Sequence, residues 1–424
     1  MTGPWDRTLL REALPLLASY SWNERVHLEA TALGFDSDAT VGEFLREFQA
    51  RHALAVAGDR LRAVLRDIER NPSRTSGLER SESRGAIRGR LDTPRYLSRR
   101  AGTVTLPRRY PIVRSVVDYG TPENHLAALA LREASAALRS SPFPRRSAES
   151  VATASAYRYV SDRLRHRPWT EVAGRGQADR LTQDVMVRVR RRQTGNDEAY
   201  GRLVDWHREW TLDPATLGGD TVESILDGFL AFPAGDAFWD KVFEIWCLRL
   251  LADVIISLGW DTIRGPSPLH SRTGIIFQFR ARPSGQIISV RFQRKEPLGS
   301  ARWSYRGGRP VSGIPDLSLA SEGHPHSPLL VDAKNRYISA ERGFTRSEET
   351  YKMLGYAENF RPDNSVHRFR GILIFPDHTA RHRVLDGPTG GRMDLVAIPI
   401  GPAADRAVAL AALRGAIVDW ASGL

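Results

Sequence analysis

The 424-residue chain has a single cysteine, Cys247, and only four lysines: Lys241, Lys295, Lys334 and Lys352. One thiol excludes an internal disulfide, leaves no thiolate set for a structural zinc site, and fits a reducing cytoplasm, which is the expected location. Long apolar runs are missing as well. "LAALAL" and "LADVIISLGW" fall well short of the roughly 20 residues that span a bilayer, so no membrane association is expected. The opening "MTGPWDRTLL" is polar and acidic and does not read as a signal segment. No Gly-x-x-x-x-Gly-Lys-Ser/Thr phosphate loop occurs, so the chain is not expected to use ATP or GTP by itself. Internal repeats and low-complexity tracts are also lacking.

Arginine is abundant. The net charge of +12 and isoelectric point near 10.2 favour a polyanionic partner. Hydrophobic residues at 41 % and charged residues at 26 % mark a globular chain, and its length suggests two domains, or three. Arginine stands almost wherever a cation is used, which makes each lysine informative. A guanidinium does not replace a compact point charge or a proton that can leave. All four lysines lie beyond residue 240.

Residues 1–72 read as helices, with apolar residues at three- and four-residue spacing in "VGEFLREFQARHALAVAGDRLRAVLRDIER". Residues 74–114 are punctuated by Gly and Pro and hold ten arginines between Arg80 and Arg114. This stretch predicts short strands and loops with a basic face, from which Arg95, Arg99 and Arg100 can fork onto phosphates; a merely solvated arginine face fits equally well. "TPENHLAALALREASAALRSSP" predicts a helix with Thr121 or Asn124 near its start, and residues 147–215 read as largely helical. The boundary is drawn near 230, giving a module of helices and short strands over 1–230 and a second domain over 231–424. In the latter, "FWDKVFEIWCLRLLADVIISLGW" is apolar almost all round, as a buried helix is. A hairpin ("GIIFQFRAR", "IISVRFQR"), strands "PDLSLA" and "PLLVDAK", a helix over 347–360, strands "GILIFP" and "DLVAIPI", and a last amphipathic helix follow.

The chemistry concentrates in "GIPDLSLASEGHPHSPLLVDAKNRY", residues 313–337. Alternation along "LLVDAK" puts Asp332 and Lys334 on one face of a strand. A carboxylate and an ammonium on an otherwise apolar strand are costly to bury without a task. Asp316 opens the preceding strand, sixteen residues before Asp332, so pairing of the two strands brings the aspartates together. Two adjacent carboxylates repel unless a cation neutralises them, and an all-oxygen pair favours Mg²⁺ or Mn²⁺. Lys334 is then placed to stabilise charge on a phosphate or to position and help deprotonate a water. Glu244, among Phe243, Ile245, Trp246 and Leu248, also needs a partner, which is either a metal or one of Lys241 and Arg249. Cys247 faces apolar neighbours and reads as inert core.

This arrangement resembles the PD-(D/E)XK nucleases. Within them, "PDLSLA", "LLVDAK" and "TYKMLGYA" look like the catalytic segment of McrC, the nuclease subunit of McrBC-type modification-dependent restriction systems. "VFEIWCLRLL" is similar to that family's glutamate-bearing helix, at Glu244, and "RGRLDTPRYL" and "YGTPENHLAALAL" look like upstream landmarks in the same order, so the likeness covers roughly residues 87–377 with gaps. The resemblance implies an α/β (α+β) fold with a mixed central sheet flanked by helices, preceded by a largely helical region with short strands. It also implies metal-assisted cleavage of DNA, with Asp316, Asp332 and Glu244 at the metal and Lys334 as the amine. A separate AAA+ NTPase motor would be the partner, in defence against foreign DNA, with oligomerisation open. The family often carries Gln-x-x-x-Tyr on the helix after the lysine. Here it is Lys352 and Tyr356, on one helical face, suited either to a phosphate contact or to a solvated lysine beside a packed tyrosine. His324 and His326 read as loop residues, and His378, Arg381, His382 and Arg383 as a minor phosphate-contact candidate; the "PD" at 376–377 lacks a following Asp-X-Lys strand. A non-catalytic DNA-binding adaptor and a repair nuclease are the alternatives.

Overall fold

The computed structural model describes residues 6–21, 39–101, 108–139, 142–172, 177–211, 219–231, 234–267, 269, 274–282, 284–294, 306, 313–321, 328–336, 347–359, 369–387, 390–401 and 403–422. Lys295, His324 and His326 lie outside these residues. Contacts divide the chain into two units, Met1–Arg51 with Thr211–Leu424, and His52–Trp210.

The first unit is an α/β layer structure around a mixed eight-stranded sheet. Its helices begin with α1 (Asp6–Ser21) and the first part of α2 (Ala39–Ala57). The remaining described elements start at α9 (Gly219–Leu230) and α10 (Asp236–Ser257), followed by β4 (Asp261–Arg264), β5 (Ile275–Arg280), β6 (Ile287–Phe292), β7 (Leu317–Ser321) and β8 (Leu329–Ala333). Helix α11 (Ser347–Asn359) then crosses to β9 (Arg370–Asp377), and β10 (Arg381–Asp386), β11 (Arg392–Pro399) and α12 (Ala407–Ala421) complete the unit. Strand order is β10-β11-β9-β8-β7-β6-β5-β4. Strand β9 runs parallel to both β8 and β11, and the other pairs are antiparallel. "GILIF" and "LVAI" are unbroken apolar runs because β9 and β11 are covered on both faces, as central parallel strands are. Helix α12 lies on β9, β10 and β11, while α10 is wedged against α1, α12 and β8. That placement explains why α10 buries side chains all round, from Phe238 to Ile255.

The division falls elsewhere than at the expected boundary near 230. The amino-terminal helix packs onto the carboxy-terminal part: Trp246 Nε1 donates to Glu12 Oε2 at 2.8 Å, Arg406 Nη2 donates to the same carboxylate at 2.9 Å, and the Phe48 and Phe229 rings lie 5.3 Å apart. An apolar helix stripe needs an apolar partner but carries no information about how far along the chain that partner lies.

The second unit holds α3 (Asp59–Arg70), β1 (Thr75–Arg84), β2 (Arg90–Leu91), α4 (Thr93–Arg100), β3 (Arg109–Asp118), α5 (Pro122–Arg139), α6 (Ala148–Arg163), α7 (Ala178–Arg190) and α8 (Asp197–Trp210). Leu61, Val64, Leu65 and Ile68 form the buried stripe of α3 at helical spacing. In place of the expected short strands, β1 and β3 form a ten-residue antiparallel ribbon from Thr75↔Asp118 to Arg84↔Arg109. Cross-strand charge pairing supports it: Glu79 sits opposite Arg114, with Arg114 Nη2 2.9 Å from Glu79 Oε2. Asp92 caps α4, its Oδ1 accepting from Arg95 N. Two histidines are buried in this unit. His52 Nε2–H donates to the Trp210 carbonyl at 3.0 Å, and burial lowers both His52 and His207 to about 4. Among the described residues, no helix is long and apolar enough to cross a membrane.

Candidate functional site

Strand register builds the site. Leu317 pairs with Val331, so in an antiparallel ladder Asp316 falls opposite Asp332. The Ala333 N–H donates to Asp316 Oδ2 at 2.9 Å, and the Asp316 carbonyl accepts from Gln293 N at 2.9 Å, carrying the β6–β7 ladder one step further. Lys334 N donates to the Ile374 carbonyl at 2.9 Å, which fixes the lysine at the end of β8. Its Nζ lies 2.6 Å from Asp332 Oδ2 and 3.4 Å from Asp316 Oδ2. The expected side-by-side placement of Asp316, Asp332 and Lys334 is therefore present.

A helix on each flank adds one further ammonium. From α11, Lys352 Nζ donates to Asp332 Oδ1 at 3.1 Å and stands 5.5 Å from the centre of the Tyr356 ring. The spacing of four residues does bring both to one helical face. Tyr356 packs on the cluster of Leu330, Met353, Leu373 and Phe375, and its hydroxyl donates to the Ile314 carbonyl at 3.1 Å, just ahead of Asp316. From α10, Lys241 Nζ lies 2.6 Å from Glu244 Oε2, which makes Lys241 the partner Glu244 requires. Arg249 pairs instead with Asp253, at 2.8 Å. Glu244 meets the aspartates through Gln293, whose Nε2 donates to Glu244 Oε2 at 2.8 Å and to Asp316 Oδ1 at 3.3 Å.

Of the two side chains that meet Glu244, Lys241 is one of the partners the sequence offered and Gln293 is the one it did not. Lys241 carried a signal, being a rare lysine three residues before Glu244, which is one helical turn. Gln293 carried none: it sits just past β6 with φ 48°, a left-handed backbone that costs a non-glycine residue about 1 kcal/mol. From that backbone its amide reaches two acids at once.

The electrostatics are those of a tightly packed charge cluster. Burial, together with Asp332 and Glu244, pushes Asp316 well above the ordinary carboxylate range. Burial also opposes the charge on Asp332, but Lys334 and Lys352 outweigh it and hold this carboxyl below its usual value. Glu244 is raised by burial, with Lys241 offsetting part of the effect. Desolvation works against the ammonium of Lys334 and Lys352 alike, yet the aspartates win and both are raised. Three of the chain's four lysines thus face three acids.

The remaining candidates go elsewhere. Arg95, Arg99 and Arg100 belong to α4 in the other unit, where Arg99 Nη1 lies 2.6 Å from Glu82 Oε1. Asp377 is held by Arg381 Nε at 2.8 Å, and His382 Nε2 lies 2.7 Å from Asp394 Oδ1, so Arg381 and His382 already face carboxylates. Cys247 is buried, and burial pushes its thiol well above the ordinary range.

Among the described residues no group of three or more His, Cys, Asp or Glu side chains gathers as a metal cage; Glu244 stands one side chain removed from the pair. The pair itself fits a hard divalent ion. Asp332 Oδ2 has the Lys334 ammonium 2.6 Å away, and Asp316 is still pushed up by burial and by the charge of Asp332 beside it. Two adjacent buried carboxylates form an all-oxygen donor set of the kind that Mg²⁺ or Mn²⁺ takes.

Fold and site together define a mixed-sheet protein with an acidic pair and an amine at the end of two adjacent strands. No family model matches the chain, and no curated protein matches it. Among solved structures it is similar to a chain of the "Refined half-complex from tetradecameric assembly of Thermococcus gammatolerans McrB AAA+ hexamers with bound McrC", at 11 % identity over 99 % of this chain and 78 % of that chain, with a TM-score of 0.30.

Proposed function

We propose that the chain is a metal-dependent DNA endonuclease of PD-(D/E)XK type, working in a prokaryotic restriction system alongside a separate AAA+ NTPase. One observation carries the reading: Asp316 and Asp332 oppose each other across β7 and β8, with Lys334 Nζ 3.4 Å from Asp316 and 2.6 Å from Asp332. A binding platform has no use for two juxtaposed buried carboxylates, since their repulsion only destabilises the fold. The net charge of +12 suits a polyanionic substrate. The motor partner and the defence role rest on the sequence resemblance.

In this reading Asp316 and Asp332 hold Mg²⁺ or Mn²⁺. When bound, the ion lowers the pKa of water and offsets negative charge on phosphate. Lys334, kept cationic by its two aspartates, stabilises the charge that develops on the phosphoryl oxygens. Glu244 acts through Gln293 to hold Asp316 in place, and Lys241 balances the charge of Glu244. In-line attack of water leaves a 5′-phosphate and a 3′-hydroxyl.

The test is cleavage of plasmid DNA by the full chain with Mg²⁺, with EDTA, and with Lys334→Ala. Mg²⁺-dependent cleavage that both EDTA and the substitution abolish is the expected result. Cleavage that survives both overturns the mechanism.

A further inference from the structure

The charge balance around Asp332 has a consequence for metal binding. Its side chain is fully buried, and each oxygen already has an ammonium beside it: Lys334 on Oδ2 at 2.6 Å and Lys352 on Oδ1 at 3.1 Å. The two lysines are not equivalent. Lys334 is anchored by its own backbone bond to β9 and keeps 23 % of its side chain exposed. Lys352 stands on α11 with 41 % of its side chain exposed. The helix turns its neighbours Tyr351 and Leu354 outward, at 70 % and 46 % exposed. An ammonium on a flexible four-carbon stem at a half-exposed position can leave Asp332 for solvent or for a phosphate at small cost.

We infer that Lys352 competes with the divalent cation for Asp332, so that the free protein holds its acidic pair neutralised by the protein's own lysines and binds metal weakly. This inference rests on the metal reading of the Asp316–Asp332 pair. It follows from the geometry that an ion coordinating Asp332 Oδ1 has to displace an ammonium of the same sign from that oxygen, and Lys352 is the only ammonium placed on Oδ1 among the described residues. A glutamine at this position would bring no charge and a carbonyl that can accept. Lys352 therefore lowers the site's affinity for cations while leaving its oxygen ligands untouched. Lys352 is a positioning residue in this account, acting through Asp332.

The experiment is Mn²⁺ binding by the full chain without nucleic acid, read from the loss of the free-ion electron paramagnetic resonance signal, for wild type, Lys352→Gln, Lys352→Arg and Asp332→Asn. The expected result is Mn²⁺ bound about tenfold more tightly by Lys352→Gln than by wild type, roughly what removing one close like charge is worth in a partly screened site. Lys352→Arg, which keeps the charge, is expected to stay within about twofold of wild type, and Asp332→Asn to lose the site. Thermal melts of each variant show that the fold is retained, since Lys352 is half-exposed. Binding that depends on Asp332 but is unchanged or weaker in Lys352→Gln overturns the inference and leaves the metal reading standing. Absence of Asp332-dependent binding in wild type and in Lys352→Gln overturns both.

Discussion

Gln293 Nε2 donates to Glu244 Oε2 at 2.8 Å, from a backbone in the left-handed region. The same amide reaches Asp316 Oδ1 at 3.3 Å, so one uncharged side chain couples two buried acids on different elements. Gln293→Ala removes both bonds and leaves two desolvated carboxylates short of a donor, a loss worth about 1–3 kcal/mol. Urea unfolding is expected to show that loss. Plasmid cleavage is expected to fall by about 10- to 100-fold, as displacement of a reacting group does. Gln293→Asn, one methylene shorter, is not expected to restore either. A Gln293→Ala variant with wild-type stability and cleavage removes Gln293 from the site.

The pairing of Lys241 with Glu244 makes a second expectation. Both side chains are 10 % exposed and 2.6 Å apart. Glu244→Gln leaves a buried ammonium without its counter-charge, which typically costs about 3–5 kcal/mol. The double substitution Lys241→Met with Glu244→Gln removes the stranded charge and is expected to recover most of that stability in chemical denaturation. Such a recovery without a return of cleavage would separate the two roles of Glu244: the charge it offers Lys241 and the acceptor it offers Gln293.

The geometry of the acidic pair and its lysine was legible in the sequence to the extent that it follows from strand alternation and pairing. Asp332 and Lys334 share a face because they are two residues apart where β8 ends, and Asp316, just ahead of β7, meets them because β7 and β8 are antiparallel neighbours. Lys352 and Tyr356 share a face for the analogous helical reason. Gln293 was not legible, since its reach depends on a positive φ that a glutamine does not announce. Edge strands were lost too: β10, "RHRVLD", alternates poorly because four of its six residues are exposed, so it lacks the apolar periodicity that marks a strand with a covered face. The division into contact units was not legible for a different reason. The apolar stripe of α1 shows that the helix must be covered, but the covering side chains on α10 lie more than 200 residues away, a distance that local pattern does not encode.

Two buried histidines make the stability of the His52–Trp210 unit depend on pH. Both His52 and His207 are lowered to about 4 by burial, against about 6.5 in an unfolded chain. Below pH 6.5 the unfolded chain therefore binds protons that the folded one does not, so protonation favours unfolding. Each histidine's contribution is complete above pH 6.5 and is lost as pH falls from there to about 4, on the order of 3 kcal/mol apiece. Urea midpoints measured between pH 8 and pH 4.5 are expected to be flat above 7 and to fall steeply below 6. His52→Gln, which keeps a donor for the Trp210 carbonyl, is expected to make that fall shallower; an unaltered pH profile would rule out His52 as its source.

Packing beneath α11 ties stability to the site. A Cβ at Gly371 would lie 2.7 Å from Phe369 Cζ and 2.8 Å from Met353 Cε, closer than carbon atoms approach. Gly371 sits on β9 opposite Leu330, and Met353 stands on α11 next to Lys352. Gly371→Ala therefore pushes the Met353 side chain, and with it the helix that carries Lys352 and Tyr356, away from the sheet. Overpacking of this kind costs about 1–3 kcal/mol, and the Lys352 contact to Asp332 at 3.1 Å lengthens with it. The expected outcome is a lower melting temperature together with tighter Mn²⁺ binding, because the competing ammonium has moved off Asp332. Adding Met353→Ala restores the space above β9 and is expected to return the melting temperature part of the way. A Gly371→Ala protein that melts and binds Mn²⁺ as wild type does would mean that Met353 yields by rotation alone and that α11 holds its place.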